Sequence, residues 1–448
     1  MRIRVFQKIS SWDSGRISIW IFILAFLARA IYTIYFYAES GYSQFSDDRD
    51  YISYAREIAA QGIAVPDIDR IFTNGHQVGI GWPFILYLLF SLFGEHFWLV
   101  FIFNVLVSSF HAVLIFLTGK LVFNKAVGLA AALWAVPYMN FIKFVPTVLK
   151  ENLIHFFFFL CLYLFVRILK ERKTGLLIYF SLAFTALIHI DERYFSLFPF
   201  FALFILFDRY KVSNWRSAFI YVGIVVLLMV PWFIRNYQVY ERPVILAYQT
   251  TEFTDPLLGY HPDSVVTGYE SGPTPYSRKY IPAYEEITRD LLAGREIDSA
   301  YKKYAYVKDL RRAISMGLVP ETYTYGENLF EEFKEFFRVY RFEYGWMANG
   351  YRLCAPRPFF NNIVFIVQFG ILLPFCFIGL FYSLRNRNRF AGYLLFFASL
   401  YAFIHIVLVH VVERYRVPVD GIILIFSFYG LYIIFVRTRA AKALRTGN

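Results

Sequence analysis

The feature that most constrains this chain is its series of long, continuous apolar segments. A helix needs about 17–25 predominantly apolar residues to cross a bilayer, and the first such segment, 17–38, is followed by others as far as 418–436. Within hydrocarbon every backbone polar group must be satisfied internally, so only helices or closed barrels can span it. Because these segments are continuously apolar rather than alternating, the sequence predicts an all-α polytopic membrane protein.

Ten segments are predicted to cross the membrane, and an eleventh, 79–93 ("GIGWPFILYLLFSLF"), is not. Lys and Arg concentrate in cytoplasmic loops, and a ten-span arrangement places the basic segments between later spans on the side of the basic N-terminus. We therefore predict that both termini are cytoplasmic and that 79–93 is a juxtamembrane or re-entrant helix on the outer side. The predicted spans are 17–38, 97–118, 126–141, 150–168, 176–190, 194–208, 217–235, 361–384, 390–410 and 418–436.

These spans divide the chain into three parts. Residues 1–235 form an N-terminal transmembrane module with a long first outer loop, 39–96. Residues 236–360 form a mainly helical soluble region on the outer face, and 361–448 contain the C-terminal transmembrane helices. The segment 17–38 is too long for a signal-peptide core and is predicted to be an uncleaved first span.

The net charge of +12 follows from the basic cytoplasmic loops, and no nucleic-acid partner is predicted. The three cysteines, Cys161, Cys354 and Cys376, have no metal-type spacing, and two of them lie within apolar spans. The sequence therefore predicts neither a disulfide framework nor a metal centre built from cysteine.

Three carboxylates, Asp47, Asp48 and Asp50, follow the first span in "FSDDRDYISYAREIAAQG". A helix is predicted from here to Gly62, with Tyr51 on its apolar face, and either Ser46 or Asp47 could be its N-cap. Capping explains one carboxylate but not three beside a membrane surface. Asp47 or Asp48 is therefore predicted to be a functional carboxylate.

Basic side chains are predicted at the outer ends of several spans. Each one alone could simply extend to the membrane interface, but together they oppose the usual bias of positive charge to the cytoplasm, and Arg suits bidentate phosphate contacts. They indicate an anionic ligand on the outer face. The arginines are Arg193, Arg235, Arg414 and Arg416, and Lys150 with Glu151 opens a span in the same region.

A succession of motifs resembles the GT-C superfamily of membrane glycosyltransferases, which includes protein O-mannosyltransferase-like and aminoarabinose-transferase-like enzymes. Each motif is weak alone, but they occur in the expected order through most of the membrane part. The motifs are "FSDDRDYISYAREIAAQG", "GHQVGIGWPFILYLLFSLFG", "PTVLKENL", "VPWFIRNYQVYERPVIL" and "RYRVPVDGIILIFSFYGL".

The resemblance implies transfer of a sugar from a polyprenyl phosphate to an acceptor hydroxyl on a lipid, glycan or protein, with inversion at the sugar. Asp47 or Asp48 would be the general base, and the spacing to Tyr51 favours Asp47 slightly. The donor phosphate would bind Arg235, Arg193, Arg414, Arg416 and Lys150, and other substrate contacts would come from Glu151, Tyr51, His76 and Asn236. Some members of the superfamily use a divalent metal and others do not; an Asp47/Asp48 pair could bind one, and a metal-independent reaction is favoured.

The chain departs from the family pattern in several places. The usual Pro-Pro before the juxtamembrane helix is "GIGWP" here, and "HIDERY" has Asp191 and Glu192 beside Arg193.

The alternative functions are a membrane transporter or lipid flippase and a non-enzymatic assembly protein. Polar groups at mid-membrane and internal repeats would favour a transporter, whereas here the polar residues are predicted at one rim.

Overall fold

The computed structural model describes residues 13–40, 46–63, 79–171, 173, 175–207, 215–240, 364, 366–407 and 413–446. Its regular structure is helical throughout this part. The α-helices are α1 Ser14–Ser40, α2 Ser46–Gln61, α3 Gly81–Phe93, α4 Phe97–Val122, α5 Lys125–Ala135, α6 Met139–Ile142, α7 Glu151–Glu171, α8 Gly175–Ile190, α9 Phe198–Phe207, α10 Trp215–Tyr240, α11 Leu373–Arg385, α12 Arg389–Val407 and α13 Glu413–Thr446. Short 3₁₀ helices cover Glu192–Leu197 and Gly370–Leu372.

The all-α polytopic fold expected from the sequence is confirmed. Six helical segments in the described residues are long and apolar enough to cross a membrane, namely Ser14–Ala38, Phe97–Val122, Glu151–Glu171, Trp215–Gln238, Ile366–Arg385 and Arg416–Thr438. Each of the other four predicted spans also contains a shorter apolar helix. The number of crossings stays a prediction. Of the region 236–360, predicted to be soluble, residues 236–240 continue α10 and the rest lie outside the described residues.

Helices α4, α7 and α13 occupy the centre of the bundle. In the most apolar 18-residue stretch of each of these helices, 61%, 72% and 61% of the residues are buried. The corresponding fraction is 28% for α1, for α10 and for the segment that ends in α11. Helix α4 packs against α1, α5 and α7, while α7 contacts α8 and α13 contacts α5 and α11. The peripheral helices therefore present their apolar side chains to the surface that lipid would cover.

Phenylalanine rings fill the space between α7, α8, α9 and α12. The ring of Phe165 on α7 lies 5.1 Å from Phe201, and the Phe201 ring stacks on Phe397 at 4.0 Å between centroids. Edge-to-face and offset contacts of this kind are the favourable arrangements for aromatic pairs. The high aromatic content of the chain is thus used in the core of the bundle.

Helices α11 and α13 approach each other closely through two glycines. A Cβ placed on Gly430 would lie 3.0 Å from the backbone nitrogen of Gly379 and closer still to the carbonyl oxygen of Phe375. Small residues at such crossings allow backbones to meet in membrane bundles, where packing rather than hydrophobicity drives association.

Two predicted spans differ from the observed helices. The span predicted at 126–141 contains α5, which ends at Ala135, and the predicted span 194–208 begins as a 3₁₀ helix before α9. Pro137 follows α5 and has no amide hydrogen to continue a helix. Helix α5, at 11 residues and a rise of about 1.5 Å each, is about 16 Å long. The segment that follows, 136–150, is irregular except for the single-turn helix α6.

Candidate functional site

A buried cluster of three charges lies where α8 ends. Asp191 caps the following 3₁₀ helix, because its Oδ1 accepts the Arg193 backbone N–H at 3.2 Å. The same carboxylate accepts the Arg193 guanidinium through both oxygens, with Nε 2.8 Å from Oδ1, and Lys150 Nζ lies 3.2 Å from Oδ2. Two cations from separate parts of the chain are therefore held by one carboxylate.

The cluster formed by Lys150, Asp191 and Arg193 carries a net charge of +1 when all three side chains are ionised. Burial alone would raise the pKa of Asp191, but the charges of Arg193 and Lys150 and the hydrogen bonds from Arg193 lower it, so that the pKa falls well below its ordinary value. The carboxylate thus stays ionised at neutral pH. All three side chains are at least nine-tenths buried, so their charges act at short range with little screening by water.

A second polar group adjoins this cluster through Glu192. Trp232 of α10 donates its indole N–H to Glu192 Oε1 at 3.1 Å. The Arg235 guanidinium lies 4.9 Å from the centroid of the Trp232 ring and donates to Asn236 Oδ1 at 3.0 Å. The motif "PWFIRN" therefore contacts the 192–197 helix through Trp232 and Glu192.

Arg416, another predicted phosphate ligand, forms a buried ion pair with Asp420 one turn later on α13. Its Nε lies 3.0 Å from Asp420 Oδ1, and its guanidinium lies 4.1 Å from the centroid of Phe369. The second carboxylate oxygen accepts Tyr138 OH and Asn140 Nδ2, both at 2.9 Å. This cluster connects α13 to the irregular segment after α5, and the phosphate-binding role of Arg416 stays a prediction.

The irregular segment 136–150 is held by side chains that donate to its carbonyl oxygens. Non-helical backbone at membrane depth persists only where protein or enclosed water satisfies it. The donors are Arg29 to Val136 O at 3.3 Å, Ser108 to Phe141 O at 3.1 Å, Asn152 to Phe144 O at 2.8 Å, Asn104 to Val145 O and Thr147 O at 3.2 and 2.7 Å, and Trp82 to Val148 O at 2.6 Å. They fix the segment that leads into Lys150 and Glu151.

The helix predicted after the first span is present as α2 and ends before Gly62, which has the positive φ of 84° expected there. Asp48 and Tyr51 are buried on it, at 0% and 3% exposure. Helix α2 packs along α3, and an ion pair joins Arg56 to Glu95 just past the end of α3 at 2.5 Å.

Several predicted site residues lie wholly or partly outside the described residues. His76 is one of them, and for Asp47 and Arg414 the structure describes the helical backbone but not the side chain. Glu151 is described and buried at the first position of α7. Among the described residues no group of three or more His, Cys, Asp or Glu side chains could hold a metal ion, and the suggested Asp47/Asp48 metal pair lies outside this search.

Sequence reasoning missed the residues that organise the cations. Asp191, Glu192 and Asp420 were not among the predicted site residues, although Asp191 and Glu192 stood out as acidic residues in "HIDERY". Asn104 and Trp82 gave no signal, because a single polar or indole group within an apolar segment does not indicate its distant partner.

The described helices define a polytopic helical membrane protein. A family model described as dolichyl-phosphate-mannose-protein mannosyltransferase matches residues 77–234. That segment includes α3, Lys150, Asp191 and Arg193, and it ends within the "PWFIRN" motif. No curated protein sequence matches the chain significantly.

Solved structures with the same fold include the oligosaccharyltransferase of Archaeoglobus fulgidus. Its apo crystal structure aligns with a TM-score of 0.52 at 12% identity, over 96% of this chain and 52% of that one. Its structure tethered to an acceptor peptide containing an NVT sequon aligns with a TM-score of 0.51 at 12% identity, over 95% and 50% of the two chains. The chain thus spans about half the length of these proteins. The expected resemblance to the GT-C superfamily is confirmed.

Proposed function

We propose that this protein is an integral membrane glycosyltransferase that transfers a hexosyl or pentosyl group from a polyprenyl-phosphate donor to an acceptor hydroxyl. The acceptor belongs to a lipid, a glycan or a protein. The reaction takes place on the outer face of the cytoplasmic membrane, with both termini cytoplasmic, and inverts the configuration of the sugar. The match of the mannosyltransferase family model to residues 77–234 supports the reaction class.

The observation that carries this proposal is the buried Lys150–Asp191–Arg193 cluster with its net positive charge. A polyprenyl-phosphate sugar is a phosphodiester with one negative charge, and the phosphate gains a second charge as its bond to the sugar breaks. Cations held in place before the reaction stabilise such developing charge without reorganisation. Lys150 and Arg193 are held in this way, because Asp191 fixes both side chains. Arg235, Arg414 and Arg416 are proposed to contribute to the same phosphate site.

The proposed base is Asp47 or Asp48, at the start of α2. The carboxylate takes the proton of the acceptor hydroxyl while the hydroxyl oxygen bonds to the anomeric carbon. The bond between that carbon and the phosphate oxygen breaks on the opposite side of the sugar, and the electron pair stays on the polyprenyl phosphate. General bases of this kind contribute about 10²–10⁴-fold to a rate. Tyr51, His76, Glu151 and Asn236 are proposed to contact the substrates.

The test uses the full chain in nanodiscs with a panel of polyprenyl-phosphate sugars and a membrane extract as the acceptor source. Mass spectrometry would detect the glycosylated product. Of the single variants Asp47→Asn and Asp48→Asn, one should lose much more transfer activity than the other. The double variant should transfer the sugar at least about 100-fold more slowly, which is the contribution of a general base. Asp13→Asn, which changes an exposed carboxylate before α1, is the matched control and should keep its activity.

Full transfer activity in the double variant would refute the carboxylate base. Movement of the intact donor across the bilayer without transfer would instead support the transporter alternative. Dependence of the rate on an added divalent cation, lost in the double variant, would show that the carboxylate pair binds a metal.

A further inference from the structure

The amino end of α3 contacts both sides of the Lys150–Asp191 ion pair. On one side, the buried Trp82 donates its indole N–H to Val148 O at 2.6 Å, two residues before Lys150. On the other side, Gly79 and Gly81 lie against the backbone of His189 and Ile190, immediately before Asp191. One short element thus contacts the backbone just before Lys150 and the backbone just before Asp191.

The glycines make this contact possible. A Cβ on Gly81 would lie 2.8 Å from the carbonyl carbon of His189 and 2.9 Å from the backbone nitrogen of Ile190, and a Cβ on Gly79 would meet the His189 carbonyl oxygen even more closely. Real Cβ atoms do not approach backbone atoms so closely, so any larger residue would force α3 away from the end of α8. The sequence "GIGW" therefore sets the distance between these parts of the chain.

The Trp82 hydrogen bond satisfies the carbonyl group of Val148, which lies in the non-helical backbone between α6 and α7. Trp82 is completely buried, and its ring lies 6.2 Å from the Phe103 ring between centroids, with the ring planes inclined by 23°. Asn104, on the same helix as Phe103, holds Val145 O and Thr147 O. Trp82 supplies the last of these contacts before the ion pair.

We propose that Trp82 is a positioning residue for the phosphate site: through Val148 it places the Lys150 ammonium against Asp191 and Arg193, and Gly79 and Gly81 allow α3 to reach this place. The proposal rests on the phosphate-binding role given to Lys150 and Arg193 under the proposed function. It assigns a role to "GIGWP", where the chain departs from the family pattern.

The experiment compares the affinity of the detergent-solubilised protein for a polyprenyl phosphate with its affinity for the corresponding uncharged polyprenol. The ratio of the two affinities reports how much the phosphate group contributes to binding, and the measurement needs no sugar or acceptor. Trp82→Phe keeps an aromatic ring but removes the N–H, and it should reduce the ratio roughly 3- to 10-fold, the effect of one hydrogen bond. Trp98→Phe, on a tryptophan of α4 that is 40% exposed, is the matched control and should leave the ratio unchanged.

Combination with Lys150→Ala separates positioning from general destabilisation. If Trp82 acts through Lys150, the double variant Trp82→Phe/Lys150→Ala should bind polyprenyl phosphate no more weakly than Lys150→Ala alone. Gly81→Ala tests the same arrangement from the side of α8 and should also lower the ratio, so the proposal can be tested even if Trp82→Phe folds poorly.

The outcomes are distinguishable. If Lys150→Ala leaves the ratio unchanged, the phosphate site itself is wrong and the positioning role falls with it. If Lys150→Ala lowers the ratio but Trp82→Phe and Gly81→Ala do not, or if the losses in the double variant simply add, the phosphate site stands and the positioning role is refuted.

Discussion

Replacing Asp191 with Asn tests the central electrostatic feature of the structure. The amide has nearly the same shape and can still accept the Arg193 backbone N–H, so the 3₁₀ cap is kept. The negative charge is lost, and the Lys150 and Arg193 side chains, 7% and 6% exposed, no longer have this carboxylate. Removing one partner of a buried ion pair typically costs about 3–5 kcal/mol, and we expect a loss of unfolding free energy in this range.

The unfolding free energy can be measured by denaturant titration in mixed micelles, with circular dichroism following the helices. Asp13→Asn removes an equal charge from an exposed position and keeps an oxygen that can accept the Gly15 N–H at the start of α1. It should change the unfolding free energy by less than about 1 kcal/mol. A loss of less than about 1 kcal/mol for Asp191→Asn would show that the two cations do not depend on this carboxylate.

The same pair of proteins should differ in pH dependence. The pKa of Asp191 is lower in the folded protein than its ordinary value of 3.8, so the folded state binds fewer protons than the unfolded state. The stabilisation is therefore fully present above about pH 5, begins to be lost as the pH falls from 5 to 3, and continues to fall below that until the pH reaches the lower pKa of the folded state. Over this interval the wild type should lose more stability than Asp191→Asn, and equal slopes would contradict the ion-pair assignment.

Three further variants test other contacts with the same unfolding measurement. Asp420→Asn should cost about 3–5 kcal/mol, because its buried carboxylate pairs with an arginine on the same helix, and a loss below about 1 kcal/mol would contradict this. Gly430→Ala should cost about 1–3 kcal/mol by forcing α11 and α13 apart, whereas Gly223→Ala, with no atom within 4 Å of the added methyl, should be neutral or slightly stabilising. Arg56→Ala removes an exposed ion pair and should cost only about 0.2–1 kcal/mol, so a larger loss would show that the pair is more than a surface contact.

Helix positions were predictable because the membrane imposes a simple rule on sequence. Every one of the ten predicted spans contains an observed helix, and the segment excluded from them is the 13-residue α3. The errors occur where local chemistry interrupts an apolar segment. Pro137 ends the helical run after α5, and the residues before Phe198 form a 3₁₀ helix capped by Asp191.

The cationic character of the site was also visible in the sequence, but its partners were not. Arg193, Arg235 and Arg416 were recognised because they oppose the charge bias of membrane loops. Asp420 lies 282 residues from Tyr138, with which it shares a hydrogen bond, and Lys150 lies 41 residues from Asp191. No spacing rule connects residues on separate helices.

The order of residues is enough to show that this chain is a bundle of membrane helices with basic residues and carboxylates at predictable places along it. That follows from hydropathy and charge, which act locally and can be read residue by residue. Tertiary packing is what brings Asp191 against both Lys150 and Arg193. It also places Trp82 against Val148 and the neighbouring glycines against the end of α8. Such arrangements depend on which helix surfaces pack together, and packing is decided by the whole set of side chains at once.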